Sequence, residues 1–144
     1  MSVPLIISGN IYCLDDAVRA QECTGAEGIM VSRGGVGNPF LISQIRAWFD
    51  RGERLPEPTV SEQVDRCICF SRMLVEEQGE EVAVRKLRSY APRFISGCIG
   101  GRAYRNRLAT ETWDLAHMYS ILEEIRRDLG EQRIEPSVGL DFRP

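Results

Sequence analysis

Two short apolar runs near the N-terminus, each stopping abruptly at small polar residues, constrain the fold of this chain more than any other feature. They are LIISGN at residues 5–10 and GIMVSRGG at residues 28–35. Apolar runs of this length that end at glycine are typical of buried parallel strands that lead into a binding loop. Between them, residues 14–23 have a helical pattern with acidic residues in the first turn and Gly25 beyond the end. The pattern therefore predicts a strand, a helix and a second strand.

The ends of the two predicted strands carry the residue types that bind phosphate. Gly9, Gly34 and Gly35 allow the backbone to approach an anion closely, and the backbone amides would then donate to it. Arg33 adds a planar fork of donors that matches two phosphate oxygens. We interpret the two loops as a phosphate-binding cradle. The alternative is that the glycines are ordinary turn residues and that Arg33 is a solvated surface group.

The remaining sequence predicts a helical domain behind a linker. Asn38 is a good N-cap with Pro39 at the first helical position, and two prolines and a glycine within residues 51–58 mark the linker. Thr59 and Glu62 are spaced as a capping box, and Pro92 should bend or end the helix that contains it. The predicted helices of this part cover residues 39–50, 60–78, 80–92, 102–108 and 112–129. We expect residues 131–144 to form a flexible tail.

Composition limits the classes of protein to consider. The chain has 144 residues, a net charge of −3 and five cysteines, with no C-x-x-C pair. A reduced, cytoplasmic protein fits this cysteine usage best, and no apolar run approaches the length that crosses a bilayer. We expect no membrane partner and no metal site. His117, the one histidine, is expected to be a surface or half-buried packing residue.

A basic stretch stands out against the acidic total. Residues 82–110 contain no acid and seven basic residues, namely Arg85, Lys86, Arg88, Arg93, Arg102, Arg105 and Arg107. Tyr90, Phe94 and Tyr104 lie among them as candidate stacking surfaces, an arrangement suited to a folded RNA backbone. The alternative is a solvated helical face, balanced by acids elsewhere, with the aromatic rings in the core.

These residues, taken in order, resemble the tRNA-dihydrouridine synthase family. The segments that carry the resemblance are Ser8-Gly9-Asn10, Ser32-Arg33-Gly34, Gly37-Asn38-Pro39-Phe40, and Arg85-Lys86-Leu87 with Tyr90. They are similar to the family's Asn-Gly-Asp, Gly-Arg-Gly, Gly-Asn-Pro-Trp and Arg-Lys-His elements. This chain departs from the pattern in placing serine first in both loops and asparagine in place of aspartate. A serine amide and hydroxyl still donate to phosphate, so we expect the phosphate-binding mode to survive.

The resemblance implies a fold and a role for each part of the chain. It implies an α/β fragment of a TIM (β/α)8 barrel, strands 7 and 8 with their helices, followed by an all-α helical bundle. Residues 1–55 would be the FMN-phosphate region, residues 56–130 a helical tRNA-binding domain, and residues 131–144 the tail. The implied cofactor is FMN, reduced by NADPH or NADH, and the implied partner is tRNA. The implied FMN-binding residues are Ser8, Gly9, Asn10, Ser32, Arg33 and Gly34, and the seven basic residues above would contact RNA.

The resemblance transfers no catalytic residue. A complete (β/α)8 barrel takes roughly 250 residues, so this chain has room for only the last quarter. None of the five cysteines lies in the family's proton-donating motif, and we expect the fragment alone to be inactive. The uncovered strands should lead to self-association or to pairing with the missing N-terminal half of the barrel. Two other classes stay open, namely a different FMN-binding TIM-barrel oxidoreductase, such as a relative of the dihydroorotate dehydrogenases, and a non-enzymatic helical RNA-binding module.

Overall fold

The computed structural model describes residues 3–136 and consists of two compact units. One unit contains the chain up to Pro56, and the other covers Glu57–Glu135. The division falls inside the segment of residues 51–58 that the sequence marks as a linker.

The first unit has the predicted order of strand, helix, strand and helix. Its elements are β1 (Ile6–Ser8), α1 (Leu14–Thr24), β2 (Gly28–Met30), a 3-10 turn (Arg33–Gly35) and α2 (Phe40–Arg51). The strands are parallel, with Ile6 opposite Gly28 and Ser8 opposite Met30. Because both strands run in the same direction, the loops that follow them leave from the same edge of the sheet.

One face of this two-stranded sheet is exposed. Ile6 and Met30 lie on the same face and are 65% and 55% exposed, whereas Ile7 and Ile29 on the other face are half-buried. A two-stranded sheet with one apolar face in water is marginal by itself. The exposure fits the expectation of an uncovered barrel interior.

The start of α2 differs from the prediction. Pro39, not Asn38, occupies the N-cap position in helical conformation, and no side chain caps the helix. Instead of a side chain, the backbone carbonyl of Asn38 accepts a hydrogen bond from the Leu41 amide at 3.2 Å. Within the described residues, the Asn38 side-chain oxygen is buried without a hydrogen-bond partner. On α2 itself, Leu41 is buried and Phe49 is exposed.

The second unit is a bundle of four helices. They are α3 (Val60–Gln78), α4 (Glu80–Phe94), α5 (Arg102–Thr110) and α6 (Leu115–Leu129). The predicted capping box is confirmed, since the Thr59 amide donates to Glu62 at 2.8 Å and the Glu62 amide donates to the Thr59 hydroxyl at 3.2 Å. The fully buried side chains at the centre of the bundle include Val60, Val64, Cys67, Leu87, Ile95, Leu108, Met118, Leu122 and Ile125.

Three helix ends in this unit differ from the sequence-based prediction. Helix α5 ends at Thr110 rather than at residue 108, and the other two ends are set by side chains. Helix α4 continues past Pro92 to Phe94, where the carbonyl of Phe94 accepts a hydrogen bond from the buried amide of Gln63 at 2.9 Å. Helix α6 begins at Leu115 rather than at residue 112, because Asp114 caps it by accepting from the His117 amide at 2.7 Å. The end of α4 and the start of α6 are each set by a side chain that satisfies a backbone group of the helix terminus.

The expectation of a flexible tail from residue 131 is wrong for its first part. Ile134 is buried, its amide donates to the Pro58 carbonyl at 2.8 Å, and the Glu135 amide donates to the Gly97 carbonyl at 3.0 Å. Gly97 has a positive φ of 86°, and a Cβ at this position would overlap the Glu135 carbonyl oxygen. Residues 131–135 are therefore held by backbone hydrogen bonds and one apolar side chain. Residues 137–144 of the expected tail lie outside the described residues.

In residues 3–136, none of the helices combines the length and the apolar character that a bilayer-spanning segment requires.

We predict that the amides of Ile134 and Glu135 are protected from hydrogen exchange, because each donates to a carbonyl of the bundle. Gly97→Ala should abolish the protection of Glu135, since the added methyl group takes the space of its carbonyl oxygen. Amide exchange followed by NMR measures both effects, with Gly52→Ala as a control in the other unit. Exchange of both amides at the rate of an unfolded peptide would contradict the docked segment.

Candidate functional site

A pocket lies where the two parallel strands of the first unit end. It has a volume of about 230 Å³ and is lined by Ser8, Gly9, Asn10, Ile11, Tyr12, Ser32, Arg33 and Gly34. All six residues that the resemblance associates with the cofactor are among these lining residues. They come from two segments more than twenty positions apart in the chain. The parallel register of the strands brings them together.

The two loops of the pocket are in direct contact at Gly34. A Cβ added to Gly34 would overlap the Ile11 carbonyl oxygen and crowd the backbone of Tyr12. The turn after β2 can therefore lie against the loop after β1 only if residue 34 is glycine. Gly35, the next residue, is less constrained, because the nearest atom to an added Cβ is a Val31 methyl group at 3.4 Å.

Arg33 gives the pocket an uncompensated positive charge. Its side chain is exposed, and its Nη2 atom lies 3.5 Å from the Asn10 side-chain oxygen, across the two loops. Among the described residues Arg33 has no carboxylate partner, since this amide is the contact that its side chain makes. Asn10 itself has a φ of +51°, a conformation that asparagine tolerates better than most residues. The charge of Arg33 thus remains available to an anion.

Backbone amides of the turn after β2 add to this charge. Arg33 and Gly34 are the first residues of the 3-10 turn, so their N–H groups have no acceptor inside the turn, whereas the Gly35 amide donates to the Ser32 carbonyl at 3.0 Å. Ser8 and Ser32 also line the pocket, and their hydroxyls can donate to an anion. Within residues 3–136, the lining includes no cysteine, histidine or carboxylate. A lining of this kind is suited to an anion and offers no strong general acid or base.

The seven basic residues of the second unit fall into two groups. Arg85, Lys86, Arg88, Arg93 and Arg102 are exposed. Arg105 and Arg107 are half-buried, and the Arg105 guanidinium is 3.5 Å from the Ile95 carbonyl. Arg88 is also anchored, because its Nε donates to the Thr112 carbonyl at 2.8 Å. We refer to the exposed residues Arg85, Lys86, Arg93 and Arg102 as the basic surface.

Arg107 is committed to ion pairs within the bundle. Its guanidinium lies 2.6 Å from Glu124 and 3.3 Å from Glu111. The hydrogen bond from Arg107 lowers the pKa of Glu124, and the hydrogen bonds to Glu124 and then Glu111 raise the pKa of Arg107. The Arg107 donors are directed at a carboxylate of α6 and at one in the segment before it. For Arg107 the structure therefore favours a charge balanced by acids over a contact with RNA.

The aromatic residues among the basic ones are less open than expected. Phe94 is 3% exposed and packs in the core, so the expectation that it offers a stacking surface is wrong. Tyr90 is half-buried with its ring edge-on to Phe70. The Tyr104 hydroxyl donates to Asp128, and this hydrogen bond raises its pKa.

The exposed aromatic residue of this unit is Trp113, which the sequence analysis did not single out. It is 60% exposed and lies in the connection between α5 and α6. A signal was present in the sequence, because the apolar residues at helical spacing within residues 112–129 are Leu115, Leu122, Ile125 and Leu129, and residue 113 does not share their face. His117 is half-buried beside it, with ring centroids 5.6 Å apart.

We predict that Gly34→Ala lowers the free energy of unfolding of the first unit by about 1–3 kcal/mol, the usual cost of an overpacked site. Gly35→Ala is the matched control, because its methyl group meets only a side-chain carbon at ordinary contact distance. Urea unfolding followed by NMR cross-peaks of residues 5–35 measures the difference. Equal effects of the two substitutions would contradict the close approach of the two loops.

Comparison with known proteins places these observations in a family. The family model described as dihydrouridine synthase (Dus) matches residues 1–127. A probable tRNA-dihydrouridine synthase 1 of Synechocystis sp. is 32% identical over 108 residues, which cover 75% of this chain and 30% of that protein. A probable tRNA-dihydrouridine synthase of Rickettsia typhi is 33% identical over 105 residues, covering 73% of this chain and 32% of that protein.

A third relative, the probable tRNA-dihydrouridine synthase of Mycobacterium leprae, is 29% identical over 108 residues, or 75% of this chain and 28% of that protein. The chain thus spans about a third of the length of these curated relatives. Because the family model covers both the strand-end pocket and nearly all of the helical bundle, this chain belongs to the dihydrouridine synthase (Dus) family.

Proposed function

We propose that this chain is the C-terminal part of an FMN-dependent tRNA-dihydrouridine synthase, an oxidoreductase that reduces uridine to dihydrouridine in tRNA. In this proposal residues 1–55 are strands 7 and 8 of a TIM barrel with their helices, and residues 56–130 are a tRNA-binding domain. The observation that carries the proposal is the pocket at the ends of β1 and β2, where the six expected residues meet. Binding sites of (β/α)8 barrels lie at this end of the strands, and phosphate sites commonly lie after strands 7 and 8.

The pocket residues fit the phosphate group of FMN. The glycine turn excludes side chains where the two loops meet, the serine hydroxyls and turn amides donate, and the Arg33 charge has no carboxylate partner among the described residues. In the proposed enzyme, bound FMN supplies hydride transfer, with NADPH or NADH as reductant. The residues of this chain bind and orient the cofactor through its phosphate end.

The chain by itself is proposed to be inactive. The pocket lining contains no cysteine to donate a proton, and the donor-rich lining performs binding rather than proton transfer. The exposed face of β1 and β2 supports the idea that further barrel strands cover it. The proposed partners of this face are the other strands of the barrel or a second copy of the chain.

The second unit is proposed to dock tRNA through the basic surface. Arg85, Arg93 and Arg102 are exposed and have no carboxylate partner among the described residues. Arginine residues with this freedom can contact phosphates along a folded RNA backbone. With tRNA as substrate and five free thiols, we propose a cytoplasmic protein.

We predict that the chain binds FMN more tightly than riboflavin, which has the same ring system but lacks the phosphate. Arg33→Gln should weaken FMN binding by roughly 10-fold or more, as expected for the loss of a charged hydrogen bond, and should leave riboflavin binding unchanged. Flavin fluorescence titration measures both ligands.

Arg46→Gln is the matched control, since Arg46 is an exposed arginine of the same unit, paired with Asp50 and outside the pocket lining. Equal affinity for FMN and riboflavin would contradict the assignment of the pocket as a phosphate site. Binding of tRNA without any flavin affinity would favour a non-enzymatic RNA-binding module.

We also predict that tRNA binding weakens steeply as the salt concentration rises. The triple variant R85Q/R93Q/R102Q should reduce the slope of log K against log[salt]. The expected reduction is roughly 0.7–0.9 for each RNA phosphate that the variant no longer neutralises. Filter binding or fluorescence anisotropy over a salt series measures the slope. Arg19→Gln, in the first unit, removes a positive charge outside the basic surface and should leave the slope unchanged. A slope that the triple variant does not change would contradict docking through the basic surface.

A further inference from the structure

The large apolar side chain of Trp113 is exposed to solvent, although hydrogen bonds fix the backbone around it. The Trp113 amide donates to the Glu111 carbonyl at 3.1 Å, and the carbonyl of Thr112 accepts from Arg88 at 2.8 Å. Asp114, on its other side, caps α6. The loop is therefore anchored to α4 and to α6. Tryptophan is enriched at interaction sites, because its ring offers a large apolar face and one N–H donor.

The indole forms one wall of an open groove within the second unit. The groove has a volume of about 530 Å³, and Val84, Arg85 and Arg88 of α4 form another part of its wall. Its volume lies in the range of pockets that hold small organic groups. Arg85 belongs both to this groove and to the basic surface.

The charges of the groove distinguish between possible ligands. Two arginines and three carboxylates line it, the latter from Glu80, Glu81 and Asp114. A phosphate bound among three carboxylates would be repelled by them, which argues against an anion inside the groove. A neutral planar group with N–H donors and carbonyl acceptors fits better, because carboxylates accept from the donors and arginines donate to the carbonyls.

We propose that this groove binds an unpaired nucleobase of RNA, which stacks on the indole of Trp113 while its backbone phosphate contacts the exposed arginines of the basic surface. Every base has a π-face for the tryptophan and polar edges for the groove walls. The inference rests on the proposed RNA-docking role of the second unit and adds a stacking site to the phosphate contacts of the basic surface. A paired base cannot enter, since its edge is occupied and both of its faces are stacked.

The test uses the 144-residue chain with Trp48→Phe, which leaves Trp113 as its sole tryptophan. A single-stranded RNA heptamer of mixed sequence should quench the tryptophan fluorescence, and the same sequence as a blunt duplex should not. Trp113→Ala should weaken binding of the heptamer and of tRNA about tenfold or more, as for loss of one stacked base, without changing the salt slope. Trp113→Phe should retain much of the affinity, because the ring still stacks.

Ile99→Ala is the matched control, since Ile99 is a 69% exposed apolar residue of the same unit outside the groove lining. Quenching does not require a substitution at residue 113, so the test holds even if Trp113→Ala misfolds. Bound tRNA with unquenched fluorescence and an unaffected Trp113→Ala variant would overturn the stacking site and leave the proposed function standing. Quenching by an unfolded peptide but not by RNA would assign the groove to a protein partner and also overturn the proposal. Absence of all RNA binding would overturn the proposed docking role as well.

Discussion

The close contact between the turn after β2 and the loop after β1 is the constraint on which the candidate site depends. The parallel register of Ile6–Ser8 with Gly28–Met30 brings the two loops to one edge of the sheet. Gly34 then allows the second loop to lie directly on the Ile11 carbonyl, where any side chain would overlap it. The position of Arg33 follows from this contact, because residue 33 precedes the glycine in the same turn. The pocket therefore depends on two short parallel strands and on the absence of a side chain at residue 34.

In the helical unit, tertiary contacts determine which basic side chains bind within the protein and which stay exposed. The sequence presents seven basic residues in one run, but the bundle directs Arg107 to Glu124 and Glu111 and anchors Arg88 on the carbonyl of Thr112. These side chains contribute to the structure of the unit. Arg85, Arg93 and Arg102 remain exposed and are the better candidates for phosphate contacts. The number of basic residues in a run therefore overstates the number that can bind RNA.

Local sequence signals predicted the helices and strands well where a single residue, such as a capping residue or a glycine, sets the boundary. The capping box at Thr59 and Glu62, the stop at Gly79 and the strand order of the first unit were all predicted from the sequence. The start of α6 was not, because Asp114 and Thr112 both offer a side-chain oxygen and only packing decides between them. The docked segment at residues 131–135 was missed for a similar reason. Its partners, Pro58 and Gly97, are distant in the chain.

By itself, the sequence determined the residue types of the strand-end loops, the amphipathic helices and the family resemblance that the comparisons confirm. These features depend on short-range order, which spacing along the chain reveals. The tertiary structure decided which side chains meet. It placed Ser8 and Ser32 in one pocket, buried Phe94 and left Trp113 exposed. Contacts of this kind depend on the packing of elements that are remote in sequence, and hydrophobic periodicity carries no information about the pairing of charges between them.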